Sequence, residues 1–270
     1  MRGEQQAGVD EGGSREVAGV RPVELARVTA IIGPYGSGKT ELAISLALET
    51  KARSGEIGIS KIALADLDVL KPYFRSREAA DVLAAAGVEL IAPKGALANT
   101  DLPILPAELR GSIGRSDARI IMDVGGDPVG ARALGSLSDV VGAAGYDLLL
   151  VINRNRPFAE SFENVMALAE QIMGACQLEI TGVVSNTHLM EETTIEDVRG
   201  GLDLSRQVAT ALGVDVRLVM VPEGLSRIAA SLVEVPPVVT VRRHMKPEFM
   251  GGVVLKPARL PYVKERGSHE

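Results

Sequence analysis

The sequence predicts an α/β protein, a mainly parallel sheet flanked by helices on both faces in a three-layer α/β/α arrangement. Two observations carry this. Continuous apolar runs alternate with helix-type runs from about Val23 to Val235, and such strands are buried on both faces of a sheet. Glycines and polar residues gather directly after the apolar runs. Right-handed crossovers then bring those strand ends to one edge, where ligands bind.

The elements follow in order. Val28–Ile32 reads as a strand, and Lys39–Ala52 has the Ala and Leu content of a helix. Ile62–Ala65 is a strand ending at Asp66, and Glu78–Ala86 a helix closed by Gly87, since glycine adopts the left-handed residue that ends a helix. Val88–Ile91 and Arg119–Met122 are strands, the second ending at Asp123. Pro128–Ala143 is one helix with proline in its first turn. Asp147–Ile152 is a strand, Ala159–Gly174 a helix and Ile180–Ser185 a strand. Ile195–Leu212 is largely helical but interrupted by Gly200-Gly201; Val214–Val221 is a strand with a helix after it to about Val233. Residues 1–22 read as a disordered lead-in rich in Gly, Glu and Gln. Residues 236–270 form a basic tail punctuated by Pro and Gly, either packed on the body or serving an acidic partner.

Composition narrows the function. The net charge is −6 and aromatics make up 3% without tryptophan, which argues against nucleic-acid binding. The single cysteine, Cys176, excludes an intrachain disulfide or a cysteine metal cluster and fits a reducing cytoplasm. No apolar run reaches the ~18 residues of a membrane span, so stable membrane association is not expected. Of the histidines, His188 falls near a strand end, whereas His244 and His269 lie in the tail.

Gly33-Pro34-Tyr35-Gly36-Ser37-Gly38-Lys39-Thr40 carries the strongest chemistry. It matches G-x-x-x-x-G-K-[ST] between a strand and a helix, the context a phosphate loop requires. Successive backbone N–H groups converge there on phosphate oxygens, and the helix N-terminus adds positive charge. Lys39 reaches the β- and γ-phosphates, the Thr40 hydroxyl ligates Mg²⁺, and Glu41 opens the helix beside them. Asp66 and Asp68 follow the second strand, with Arg75 and Arg77 in the same loop. A carboxylate there holds magnesium-bound water or orients the attacking one, or else caps a turn. Asp123 ends I-I-M-D-V-G-G-D as a second magnesium carboxylate, and Gly126 sits where an N–H senses the γ-phosphate. Asp127 before Pro128 equally suits a helix N-cap. Asn186 and Pro222 end two later strands on the same edge, and an amide both donates to and accepts from a base edge.

Together these motifs resemble the SIMIBI class of P-loop NTPases, and within it the MinD/ParA/CobQ-like nucleotide-binding domains, over about Val28 to Val233. The resemblance implies that Asp68 is the switch aspartate tied to hydrolysis, Asp123 the Walker B aspartate, and Asn186 and Pro222 the holders of adenine. Pro34 stands where that family has a second loop lysine bridging two copies, so a homodimer is left open. The guanine motif N-K-x-D is replaced by Asn186-Thr187-His188-Leu189, which favours ATP over GTP. The implied function is a Mg²⁺- and ATP-dependent hydrolase, slow or partner-stimulated, acting as a regulatory or accessory switch on a protein client. Two alternatives stand beside it. One is a small-molecule kinase or ligase similar to dethiobiotin synthetase, with residues 94–105 lining a substrate pocket. The other is a nucleotide-binding module without turnover.

Overall fold

The computed structural model describes residues 23–55, 58–67, 76–92, 107–225, 236, 238–241 and 263–265. The strands are β1 (Val23–Leu25), β2 (Val28–Ile32), β3 (Lys61–Leu67), β4 (Glu89–Ile91), β5 (Ala118–Val124), β6 (Tyr146–Ile152), β7 (Gly182–Ser185), β8 (Val216–Pro222), β9 (Val238–Val241) and β10 (Val263–Glu265). The helices are α1 (Lys39–Ala52), α2 (Ser76–Ala86), α3 (Ala107–Ile113), α4 (Pro128–Gly135), α5 (Ser138–Ala144), α6 (Phe162–Cys176) and α7 (Ile195–Leu212). Eight strands form one sheet in the order β4-β3-β5-β2-β6-β7-β8-β9, every pair parallel. β1 and β10 pair separately, also parallel, with Val23 opposite Val263. The parallel three-layer prediction therefore holds.

Alternation along the strands builds two cores. On one face Val28, Ala30 and Ile32 of β2, Ile120 and Met122 of β5, and Leu148 and Leu150 of β6 pack with Leu134 of α4, Val165 and Ile172 of α6 and Val208 of α7. On the other, Ile31, Ile121, Leu149 and Val151 pack against Leu42, Leu46 and Ala47 of α1 and Leu83 of α2. Each buried leucine or isoleucine contributes about 1.5–3 kcal/mol. Ten of the fourteen residues of α1 are buried, Glu49 and Thr50 among them. It is thus an interior helix, which is why its sequence has no clean polar stripe.

Local chemistry sets the helix ends. Gly87 is left-handed at φ 74°, and Val88 N–H donates to Leu83 O at 2.9 Å, as a glycine C-cap requires. Thr194 and Asp197 form a capping box at the start of α7, satisfying orphan N–H groups from both sides.

Several boundaries differ from the sequence reading. The helix expected over Pro128–Ala143 is two, α4 and α5. α4 ends where a Cβ on Gly135 would stand 2.7 Å from Ala175 O, so close packing on α6 redirects the chain, and Leu137 turns into the core. α6 starts at Phe162, because Ser161 accepts from Asn164 N–H as its N-cap. α7 passes through Gly200-Gly201 without a break. Those glycines make room instead: a Cβ on Gly200 would lie 2.0 Å from Arg154 Nη1, and one on Gly201 2.1 Å from Thr187 Oγ1. Strands β1, β9 and β10 and helix α3 were not expected from sequence. β9 adds the last strand to the sheet beside β8, with Val219 opposite Val238. Of the helix expected up to Val233, a 3₁₀ turn at Glu223–Leu225 is seen, and residues 226–235 lie outside the described ones.

Candidate functional site

The site forms at the C-terminal edge of the central strands. The chain leaves β2 at Gly33 and re-enters helix at Lys39. Between them the loop closes on itself, Ser37 N–H donating to Pro34 O at 3.2 Å. Gly38 caps α1 at φ 93°, in the left-handed region. A Cβ there would lie 2.1 Å from Asn186 Nδ2, so only glycine fits both the backbone and the neighbour. The N-terminus of α1, with Thr40 and Glu41 half-buried in its first turn, opens toward this edge and favours anions.

Lys39 is buried, 8% exposed, with its Nζ donating to Pro34 O at 3.1 Å. A charged phosphate oxygen makes a stronger hydrogen bond with an ammonium than a neutral carbonyl does. Gly126 comes close to the same group: a Cβ on it would stand 2.4 Å from Gly33 O and 3.0 Å from Lys39 Nζ. The D-V-G-G segment after β5 thus lies directly on the glycine loop. Asp127 beside it caps α4, its Oδ1 accepting from Val129 N–H at 2.7 Å and Gly130 N–H at 2.9 Å.

The sheet aligns two carboxylates. Asp123 pairs in register with Ile31 on β2 and with Asp66 on β3. By alternation from Ile31, Ile121 and Leu64, both aspartates belong to the sheet face that α1 covers. The register thus brings two carboxylate-bearing residues to neighbouring positions on that face. Asp68, the residue assigned to hydrolysis, lies outside the described residues, as do Arg75 and residues 94–105. Among the described residues no cluster of three His, Cys, Asp or Glu side chains is found. Cys176 is buried in the α6 core, and burial pushes its thiol up, as expected of an inert side chain.

Asn186 does something the sequence did not suggest. It is 4% exposed and its Nδ2 donates to Ser37 O at 2.7 Å, across 149 residues of chain. Its amide therefore holds the glycine loop, and its Oδ1 faces no donor among the described residues. Pro222 is half-buried at the end of β8. The loop after β6 also went unnoticed in the sequence, although Asn153-Arg154-Asn155-Arg156 stands at a strand end on the same edge. Asn153 is fully buried; its Oδ1 accepts from Asn155 N–H at 3.1 Å and His188 N–H at 3.4 Å. Arg156 Nε donates to Gly36 O at 3.2 Å. A run of polar residues after an apolar strand was the available signal.

No family model matches the chain, and no curated protein matches it. Solved structures do. The cell division protein FtsY of Thermotoga maritima shares 18% identity over 76% of this chain and 64% of its own, with a TM-score of 0.52. Chloroplast FtsY of Physcomitrella patens shares 20% over 77% and 65%, with a TM-score of 0.50. The 54 kDa signal recognition particle protein of Aeropyrum pernix, solved in complex with GDP, shares 22% over 77% and 44%, at a TM-score of 0.47. The chain spans less than two thirds of the length of each. The FtsY likenesses show the fold alone, a parallel three-layer α/β/α sheet. The MinD/ParA/CobQ-like branch is a finer placement than they reach.

Proposed function

We propose that this chain binds Mg-ATP, hydrolyses it slowly, and uses the bound state as a switch on a protein partner. One observation carries the reading: the glycine loop, buried Lys39 and in-register Asp66 and Asp123 meet at a single strand edge. In this reading loop N–H groups and Lys39 hold the phosphates. Thr40 and Asp123 are the residues that would hold Mg²⁺, and the ion would supply charge neutralisation of the phosphates. Asp68 orients the attacking water. Gly126, seated against Gly33 and Lys39, is where gain or loss of a γ-phosphate moves the segment after β5.

The base assignment follows from donors and acceptors. Asn186 gives a hydrogen to the loop and keeps its oxygen as an acceptor, which suits the amino group of adenine. Guanine instead asks for an acidic partner to its N1–H and N2–H₂, and Leu189 stands there. Support for a protein partner comes from the surface. Tyr35 is 63% exposed, Phe158 76%, Leu189 42% and Met190 39%; all four lie in the segments that follow β2, β6 and β7, Met190 opening a 3₁₀ turn. Phe158 and Met190 also have left-handed backbone, at φ 65° and 57°. Exposed apolar side chains on strained backbone at one edge mark an interaction surface. No helix of the described residues is long and apolar enough to cross a membrane.

Calorimetric titration with non-hydrolysable ATP and GTP analogues, each with Mg²⁺, tests this. Tighter binding of the ATP analogue is expected. Preference for the GTP analogue removes the adenine assignment, and binding of neither removes the phosphate-loop function.

A further inference from the structure

We infer that Arg156 is a further nucleotide-binding residue, a cation that contacts the phosphate chain from the Gly36 side of the loop; this rests on the nucleotide reading above. The guanidinium is half-buried and reaches the loop from 120 residues away, with Nε donating to Gly36 O at 3.2 Å. Its two terminal amino groups make no hydrogen bond among the described residues. Four N–H donors thus stand beside an anion cradle, in a planar group suited to phosphate.

The side chain is placed, not merely nearby. Gly36 is left-handed at φ 76°, and a Cβ on it would come 3.3 Å from both Cδ and Nε of Arg156. Glycine therefore admits both the turn and the guanidinium. The Arg156 backbone is fixed at both ends: its N–H donates to Asn153 O at 3.1 Å and its carbonyl accepts from Ala159 N–H at 3.1 Å. Asn153, the root of that turn, is fully buried.

Charge gives the reason. A nucleoside triphosphate brings several negative charges, and the loop itself supplies one side-chain cation, Lys39. Pro34 offers neither charge nor N–H. Arg156 supplies a second cation from a different strand end, already held in place before the ligand arrives, so little side-chain entropy is lost on binding. The same loop continues to the exposed Phe158.

The test is titration of the wild type, Arg156→Ala and Arg156→Lys with Mg²⁺ and whichever triphosphate analogue the wild type binds, and with the matching diphosphate. Thermal unfolding of the nucleotide-free proteins runs alongside. Loss of a charge-assisted contact predicts about tenfold weaker triphosphate binding in Arg156→Ala, a smaller loss for the diphosphate, and partial recovery in Arg156→Lys. Triphosphate affinity in Arg156→Ala within about twofold of wild type, against that expected charge effect, overturns the inference. So does a lysine variant no better than alanine, which marks Arg156 as a loop clamp only. Absence of binding in the wild type overturns this inference together with the nucleotide function, and the two failures are thereby distinct.

Discussion

The two edges of the central sheet differ in what their polar residues surround. At the N-terminal edge they are satisfied by protein. Asp147, fully buried, accepts from Ala26 N–H at 2.6 Å, Thr181 Oγ1 at 2.9 Å and Arg217 Nη1 at 3.4 Å. Arg27 donates to the carbonyls of Arg115, Ala118 and Ile113. Asp117 is held at about 2 by the hydrogen bond from Arg115, with the Ser60 hydroxyl assisting. At the C-terminal edge the loop glycines take left-handed backbone, Lys39 rests on a carbonyl, and aromatic side chains face solvent. One edge is closed by its own hydrogen bonds. The other presents left-handed backbone and exposed apolar side chains, features that cost local stability.

The comparison breaks most sharply at Lys39. Lys39→Ala is expected to lower nucleotide affinity by about two orders of magnitude or more while leaving the fold intact; calorimetry with circular dichroism reads both, and unchanged affinity would remove the phosphate-loop assignment. Asp147→Ala should do the reverse. Three donors left without their carboxylate cost about 3–5 kcal/mol in denaturant unfolding, with nucleotide affinity of the folded fraction unchanged. An altered affinity there would show the two edges to be coupled. The smallest effect belongs to Thr194→Ala at the capping box of α7, expected to cost about 1 kcal/mol at neutral pH. Backbone and hydroxyl donation from Thr194 hold the Asp197 carboxyl below its ordinary value. A lowered carboxylate contributes stability above its unfolded pKa and loses it as pH falls through the folded one. The gap between variant and wild type should therefore narrow in acid below the carboxylate range, and a gap independent of pH would exclude the Asp197 bond as its source.

Much of the fold was legible because its signals are local. Val28–Ile32 and Lys39–Ala52 appear where the apolar run and the Ala/Leu-rich run place them. The breaks that sequence could not show came from packing. Gly135 against α6 divided one expected helix into two, and Gly200-Gly201 marked contacts with Arg154 and Thr187 rather than an interruption. β9 and β10 are short segments within a stretch rich in proline and glycine, where strand pairing depends on the partner edge more than on the residues themselves.

By itself, the sequence determined the glycine loop, since eight consecutive residues hold its glycines, lysine and threonine between a strand and a helix. Only the tertiary structure decided what surrounds that loop. Asp66 meets Asp123 because β3 and β5 pair in that register. Asn186 serves the loop carbonyl, and Arg156 reaches Gly36, because β6 ends beside β2 and β7 ends beside β6. The physical reason is range: a loop conformation is fixed by neighbouring residues, whereas a hydrogen bond spanning 120 or 149 positions exists only once the sheet has set its strand order.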